Sequence, residues 1–349
     1  MKNKNIFKIN LIYFVALLGV ATLFALGYFG IIQNDILSSF LIQVVVIFAI
    51  PMLMYTLLVS KDVKKTFKHA GFNKITPYAI VLSIGLGVVL YFVNSAVADI
   101  FQSLVSMFGY EKLSSPNPTF NYQTLFKEFC ISAILPAFCE EFLHRGILLH
   151  AGKKCGNVRY SLIISSLLFG LTHLNINQFF YAAILGGLIG YVSLVSNSIY
   201  PAIIIHFMNN FLSNYFYYGY HMKLPLATYV YEFRTFLYSN YFLYLSFSII
   251  GVALLTYLYI YFVKKLTIEK VKISMEKVVI DLGVENATLE QAQSALDQIN
   301  VVLNQSQSSK SYFAYSKGKK HGFVENIFLI SAIILGATIT IMSFIWGII

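Results

Sequence analysis

The chain has 349 residues, 58% of them hydrophobic and only 11% charged, with a formal net charge of +10. A soluble domain carries about 25% charged residues, so a surface this apolar faces lipid, and a soluble globular enzyme is excluded. Nucleic-acid binding is excluded as well, because the basic residues gather in short loops beside apolar runs, as cytoplasmic loops of membrane proteins do.

The first apolar run, 11–32, follows Lys2, Lys4 and Lys8. It exceeds the roughly 7–15 residues of a signal-peptide core, so it reads as an uncleaved first span. Further spans are expected near 36–59, 79–107, 124–149, 160–175, 178–196, 200–217, 239–263 and 325–347. The fifth is short and the third is long enough to tilt or break. The predicted fold class is therefore all-α, a polytopic membrane helix bundle of about eight or nine transmembrane helices.

Alternating the spans from a cytoplasmic N-terminus puts Lys61, Lys64, Lys65 and Lys68 inside, then Lys153, Lys154 and Arg159. Lys264, Lys265, Lys317, Lys319 and Lys320 follow on the same side, while the outer loops hold few basic residues. Nine crossings leave the C-terminal end outside. Residues 1–263 read as the membrane bundle, 264–324 as a cytoplasmic polar connector and 325–349 as a last span. In the connector, Thr288-Leu289-Glu290-Gln291 reads as a capping box opening an amphipathic helix. The three cysteines, Cys130, Cys139 and Cys155, form neither a disulfide framework nor a thiolate zinc site.

Chemistry concentrates in three places where ionisable groups interrupt apolar runs, at a cost that usually marks a site. Glu140 and Glu141 point about 100° apart on a helix, so they take separate roles. Arg145 lies four residues after Glu141 and can pair with it, which frees Glu140 to accept a proton from water. His173 follows Phe169 at i+4 on a short apolar helix, and His206 and Asn210 share a face on another. An imidazole and a carboxamide together can hydrogen-bond an oxyanion. At about 1.5 Å per residue, Glu140 and His173 lie roughly 16–20 Å from the cytoplasmic ends, Asn210 about 15 Å and His206 about 9 Å. Modest tilt would bring them level, in a cavity expected to open to the cytoplasm.

Glu140, His173 and His206 have the composition of a His₂Glu zinc site, although the HExxH spacing is absent. Water activated jointly by Glu140 and His173 without metal is the alternative. Two non-hydrolytic readings also fit buried Glu and His: a membrane scaffold that binds and regulates another protein, and a proton-coupled transporter. No inverted repeat supports the transporter.

The runs Glu140-Glu141-Phe142-Leu143-His144-Arg145, Phe169-Gly170-Leu171-Thr172-His173 and His206-Phe207-Met208-Asn209-Asn210 match EExxxR, FxxxH and HxxxN in that order. Over about 124–215 the chain thus resembles the CPBP family, the CAAX proteases and bacteriocin-processing (Abi) enzymes that include Ras-converting-type prenyl-protein endopeptidases. The resemblance implies an intramembrane endopeptidase. Glu140 and His173 would activate water, His206 and Asn210 would hold the oxyanion, and Glu141 and Arg145 would support the site. It implies a bacterial, multi-pass cell-membrane enzyme acting on a membrane-embedded or membrane-associated peptide or protein, with no oligomeric state specified. His144 stands where many members carry an aromatic, and it is expected to face a loop or the lipid headgroups.

Overall fold

A computed structural model describes residues 4–111, 119–152, 158–246, 248–261 and 323–347. The expected connector, with its capping box, lies outside the described residues up to position 322. Among the described residues every regular element is helical. Lipid offers no partner for backbone N–H and C=O groups, so a chain this apolar must pair them within helices.

The helices are α1 (Lys4–Tyr28), α2 (Asp35–Ser60), α3 (Val63–His69), α4 (Pro77–Ser106) and α5 (122–151). They continue as α6 (Val158–Thr172), α7 (Ile176–Ser196), α8 (Tyr200–His221), α9 (Ala227–Ser239), α10 (Tyr241–Tyr261) and α11 (Phe323–Trp346). Each of the nine expected spans coincides with one of these helices. The long third span, α4, is unbroken. The short α3 and α9 are additional, in segments read from sequence as loops.

Six helices, α1, α2, α4, α7, α10 and α11, are long and apolar enough to cross a membrane by themselves. The other three expected spans, α5, α6 and α8, fall outside that group, and they carry the polar motifs. They are tolerated because the apolar helices pack around them, burying the charged groups in protein rather than in lipid.

Local sequence sets the helix boundaries. Asn34, Asp62, Thr76, Asn121 and Asn175 each accept a backbone N–H at a helix start. Asn197 ends α7 in the left-handed conformation. In α1, Ile9, Ile12, Tyr13, Ala16, Leu17 and Val20 repeat at helical spacing and form the buried face, while Leu18 and Phe24 look outward.

Contacts fix the two ends of the bundle. At one end the Lys8 ammonium reaches the Leu58 carbonyl, and the 71–73 turn bonds to 197–199 through Ile199 N–H to Gly71 and Asn73 to the Asn197 carbonyl. This end carries Lys61, Lys64, Lys65 and Lys68. At the other end Tyr28 stacks on Trp346, Asn177 bonds to Tyr110, and the Glu111 N–H reaches the Gly347 carbonyl. Asn10 bonds to the Glu325 carbonyl, so α1 and α11 run parallel, both from the basic end to the far end. The helix α10 runs antiparallel to α4, with Tyr241 bonded near Ala96, Tyr244 near Phe92, and Leu255 against Gly85. It therefore finishes at the basic end, where α11 begins.

Helix α5 is wound unevenly. Phe129–Ile134 and Phe142–Ala151 are π-helical, and the α-helical Leu135–Glu141 lies between them. Such wide turns are rare and cluster at functional sites. Here they bracket Glu140 and Glu141, and α2 carries two more, Leu41–Ala49, which contains Gln43, and Thr56–Ser60.

Candidate active site

Arg145 is fully buried at the centre of the bundle, held from three sides. Its Nη1 donates to Glu141 Oε1 at 2.7 Å, Nη2 donates to the Gly186 carbonyl at 3.1 Å, and its guanidinium lies 4.3 Å from the centre of the Phe169 ring. The same Glu141 oxygen accepts from His206 Nδ1 at 2.8 Å. Glu141 is thus a junction between α5 and α8, and it fixes Nδ1 of His206 as the donor, leaving Nε2 for other work.

Phe169 organises the rings. It packs edge-on against His144, His173 and His206, with centroids 5.0, 5.2 and 5.6 Å away. Gly186 lets α7 approach this cluster, since a Cβ there would come within 3.2 Å of both the guanidinium and the Phe169 ring.

Glu140 points away from that cluster, as its offset from Glu141 requires. Its Oε1 accepts from Gln43 Nε2 of α2 at 2.7 Å. Together with His173, Thr172, Gln43 and Gln178 it lines a cavity of about 170 Å³. His173 closes the last turn of α6, where Leu174 adopts a left-handed conformation (φ 51°) and turns the chain into the Asn175 cap of α7. The His173 Nδ1 donates to the Phe169 carbonyl at 2.9 Å. A carbonyl only accepts, so Nδ1 carries the proton and Nε2 presents its lone pair.

Asn210 lies elsewhere. It receives a bond from Asn209, which in turn receives one from Asn94, and it donates to the Ser132 carbonyl, each at 3.0 Å. This amide chain walls a second, polar cavity of about 340 Å³, and Gln178 lines both cavities. The structure therefore gathers Glu140 with His173, and Glu141 with Arg145 and His206, and it holds Asn210 in the neighbouring chamber.

Three expectations meet this geometry. Among the described residues no three His, Cys, Asp or Glu side chains are grouped to hold a metal ion. His206 turns its Nδ1 onto Glu141 and Glu140 accepts from Gln43, so zinc binding by Glu140, His173 and His206 remains a proposal. Second, His144 does not face a loop or headgroups. It is fully buried, donating through Nδ1 to the Glu140 carbonyl at 2.8 Å, with Nε2 3.1 Å from the Thr172 hydroxyl.

Third, the cavities lie in the half of the bundle away from the basic end. The Glu140 cavity is lined by Val20 and Phe24 near the end of α1 and by Ser39, Ile42 and Gln43 near the start of α2, all in the far half. The second cavity is lined by Asp99 and Gln102 of α4 and by Asn175 and Asn177, again toward the far end.

Sequence reasoning passed over Gln43, Asn94, Asn209 and Gln178. The available signal was a lone carboxamide inside an apolar run, as in Leu41-Ile42-Gln43-Val44-Val45.

No curated protein and no solved structure matches the chain. Residues 122–212, which span α5 to α8 and contain all three motifs, match the family described as Type II CAAX prenyl endopeptidase Rce1-like.

Proposed function

We propose that the protein is an intramembrane endopeptidase that hydrolyses a peptide bond in a membrane-associated peptide or protein. The observation that carries this reading is that a carboxylate, Glu140, and an imidazole with a free Nε2, His173, line one cavity inside the bundle. The family match over 122–212 supports the same class of reaction.

Water in this cavity gives one proton to Glu140 as its oxygen attacks the peptide carbonyl carbon, while His173 Nε2 accepts a hydrogen bond from its other proton. The carbonyl oxygen becomes an oxyanion. Asn210 has a second amide proton beyond the one given to Ser132 but lines the adjoining chamber, so Asn210 and an Nε2–H form of His206 serve this oxyanion when the carbonyl oxygen points from the Glu140 cavity toward that chamber. The carbon–nitrogen bond then breaks as Glu140 returns its proton to the leaving amine. Glu141 and Arg145 act as positioning residues, setting the His206 ring and the Phe169 face.

Mass spectrometry of new peptide termini in host membranes tests this, comparing the wild type with Glu140→Ala at equal expression. Termini mapped beside transmembrane segments should vanish in the variant. Identical termini in both would overturn the reading and leave a regulatory membrane scaffold.

A further inference from the structure

The geometry points to the amide-lined cavity as the cleft that holds the substrate as an extended peptide, entering from the end of the bundle opposite the basic loops; this rests on the endopeptidase reading. Four observations converge. The cleft adjoins the Glu140 cavity, since Gln178 lines both. Its volume of about 340 Å³ lies within the ordinary range of ligand pockets, about 300–1,000 Å³.

Its chemistry selects a peptide. Asn94, Asn175, Asn177, Gln178, Asn209 and Asn210 supply amide donors and acceptors together, which is what the alternating N–H and C=O groups of a backbone require. The acid in the lining, Asp99, faces Arg234 at 3.7 Å, and among the described residues no Lys or Arg lines the cleft to take a phosphate headgroup.

The lining amides need a partner whose own backbone N–H and C=O groups are free. A helical segment spends those groups internally, so the bound peptide is extended. The Asn94–Asn209–Asn210–Ser132 chain holds the wall in place beforehand.

Photo-crosslinking in host membranes tests the cleft with the full-length chain. p-Benzoylphenylalanine replaces Ser95 or Gln102, which line it, and separately Ile163, which is exposed on α6 outside both cavities. Each variant is made with Glu140 intact and with Glu140→Ala, and adducts are identified by mass spectrometry. Polypeptide adducts are expected at 95 and 102, on non-cytoplasmic segments, with none at 163. Lipid adducts alone, cytoplasmic segments alone, the same adducts at 163, or no adduct at either cleft position in well-expressed protein would overturn the proposal. The two readings fail separately. Termini lost in Glu140→Ala without cleft adducts would leave the protease standing and the cleft refuted. Cleft adducts with unchanged termini would leave a peptide-binding site in a protein that does not cut.

Discussion

Two adjacent carboxylates divide the work at the residue level. Glu140 faces a cavity and touches a neutral amide, whereas Glu141 is enclosed by Arg145 and His206. Glu140→Gln keeps the shape and removes the proposed base, so cleavage should fall by about 10²–10⁴-fold with the fold intact, read as product formation against a constant thermal midpoint. Glu141→Ala should behave differently. It leaves a buried guanidinium without its counter-charge, a loss of about 3–5 kcal/mol in stability that thermal unfolding in detergent would register. A Glu141→Ala protein as stable as wild type would refute the junction role. The Glu141–Arg145 pair is legible in sequence because i and i+4 positions share a helix face. Gln43 and His144 are not, since their decisive partners lie 97 and 28 positions away and only packing brings them together.

Among the elements, α6 and α7 form a hairpin whose close approach depends on glycine. A Cβ on Gly170 would meet the Phe179 carbonyl oxygen at 2.6 Å, backbone that cannot step aside, while one on Gly187 would make ordinary contact at 3.6 Å. Small residues let membrane helices approach in this way. Gly170→Ala should therefore cost about 1–3 kcal/mol and shift His173, lowering cleavage, whereas Gly187→Ala should change little. Equal activity and equal melting of the two variants would show that the hairpin has slack. The existence and order of the membrane helices could be read from hydropathy alone. The uneven winding of α5 could not, because π turns arise from the fit of neighbouring helices and leave no composition signature.

At the level of the whole molecule, the parallel run of α1 and α11 puts residues 28 and 346 together at the far end. Parallel first and last helices fit an odd number of crossings, and the basic end is the proposed cytoplasmic side. In a variant lacking Cys130, Cys139 and Cys155, an impermeant maleimide should label Ile31→Cys in intact cells and Lys64→Cys only after permeabilisation. The reverse pattern would invert the assignment. Counting residues from helix ends gives the depth of a side chain and says nothing about which mouth of the bundle it serves. The location of Phe24, Ser39 and Gln178 around Glu140 places its cavity in the half away from the basic end.

With the basic end as the proposed cytoplasmic side, the far-end position of both chambers has a pharmacological consequence. A charged peptide mimic that cannot cross the bilayer should silence the protein when added to whole cells. Inside-out vesicles given the same compound in the medium should keep their activity. A drug aimed at Glu140 would then need neither uptake nor escape from efflux pumps, only a shape that follows the cleft.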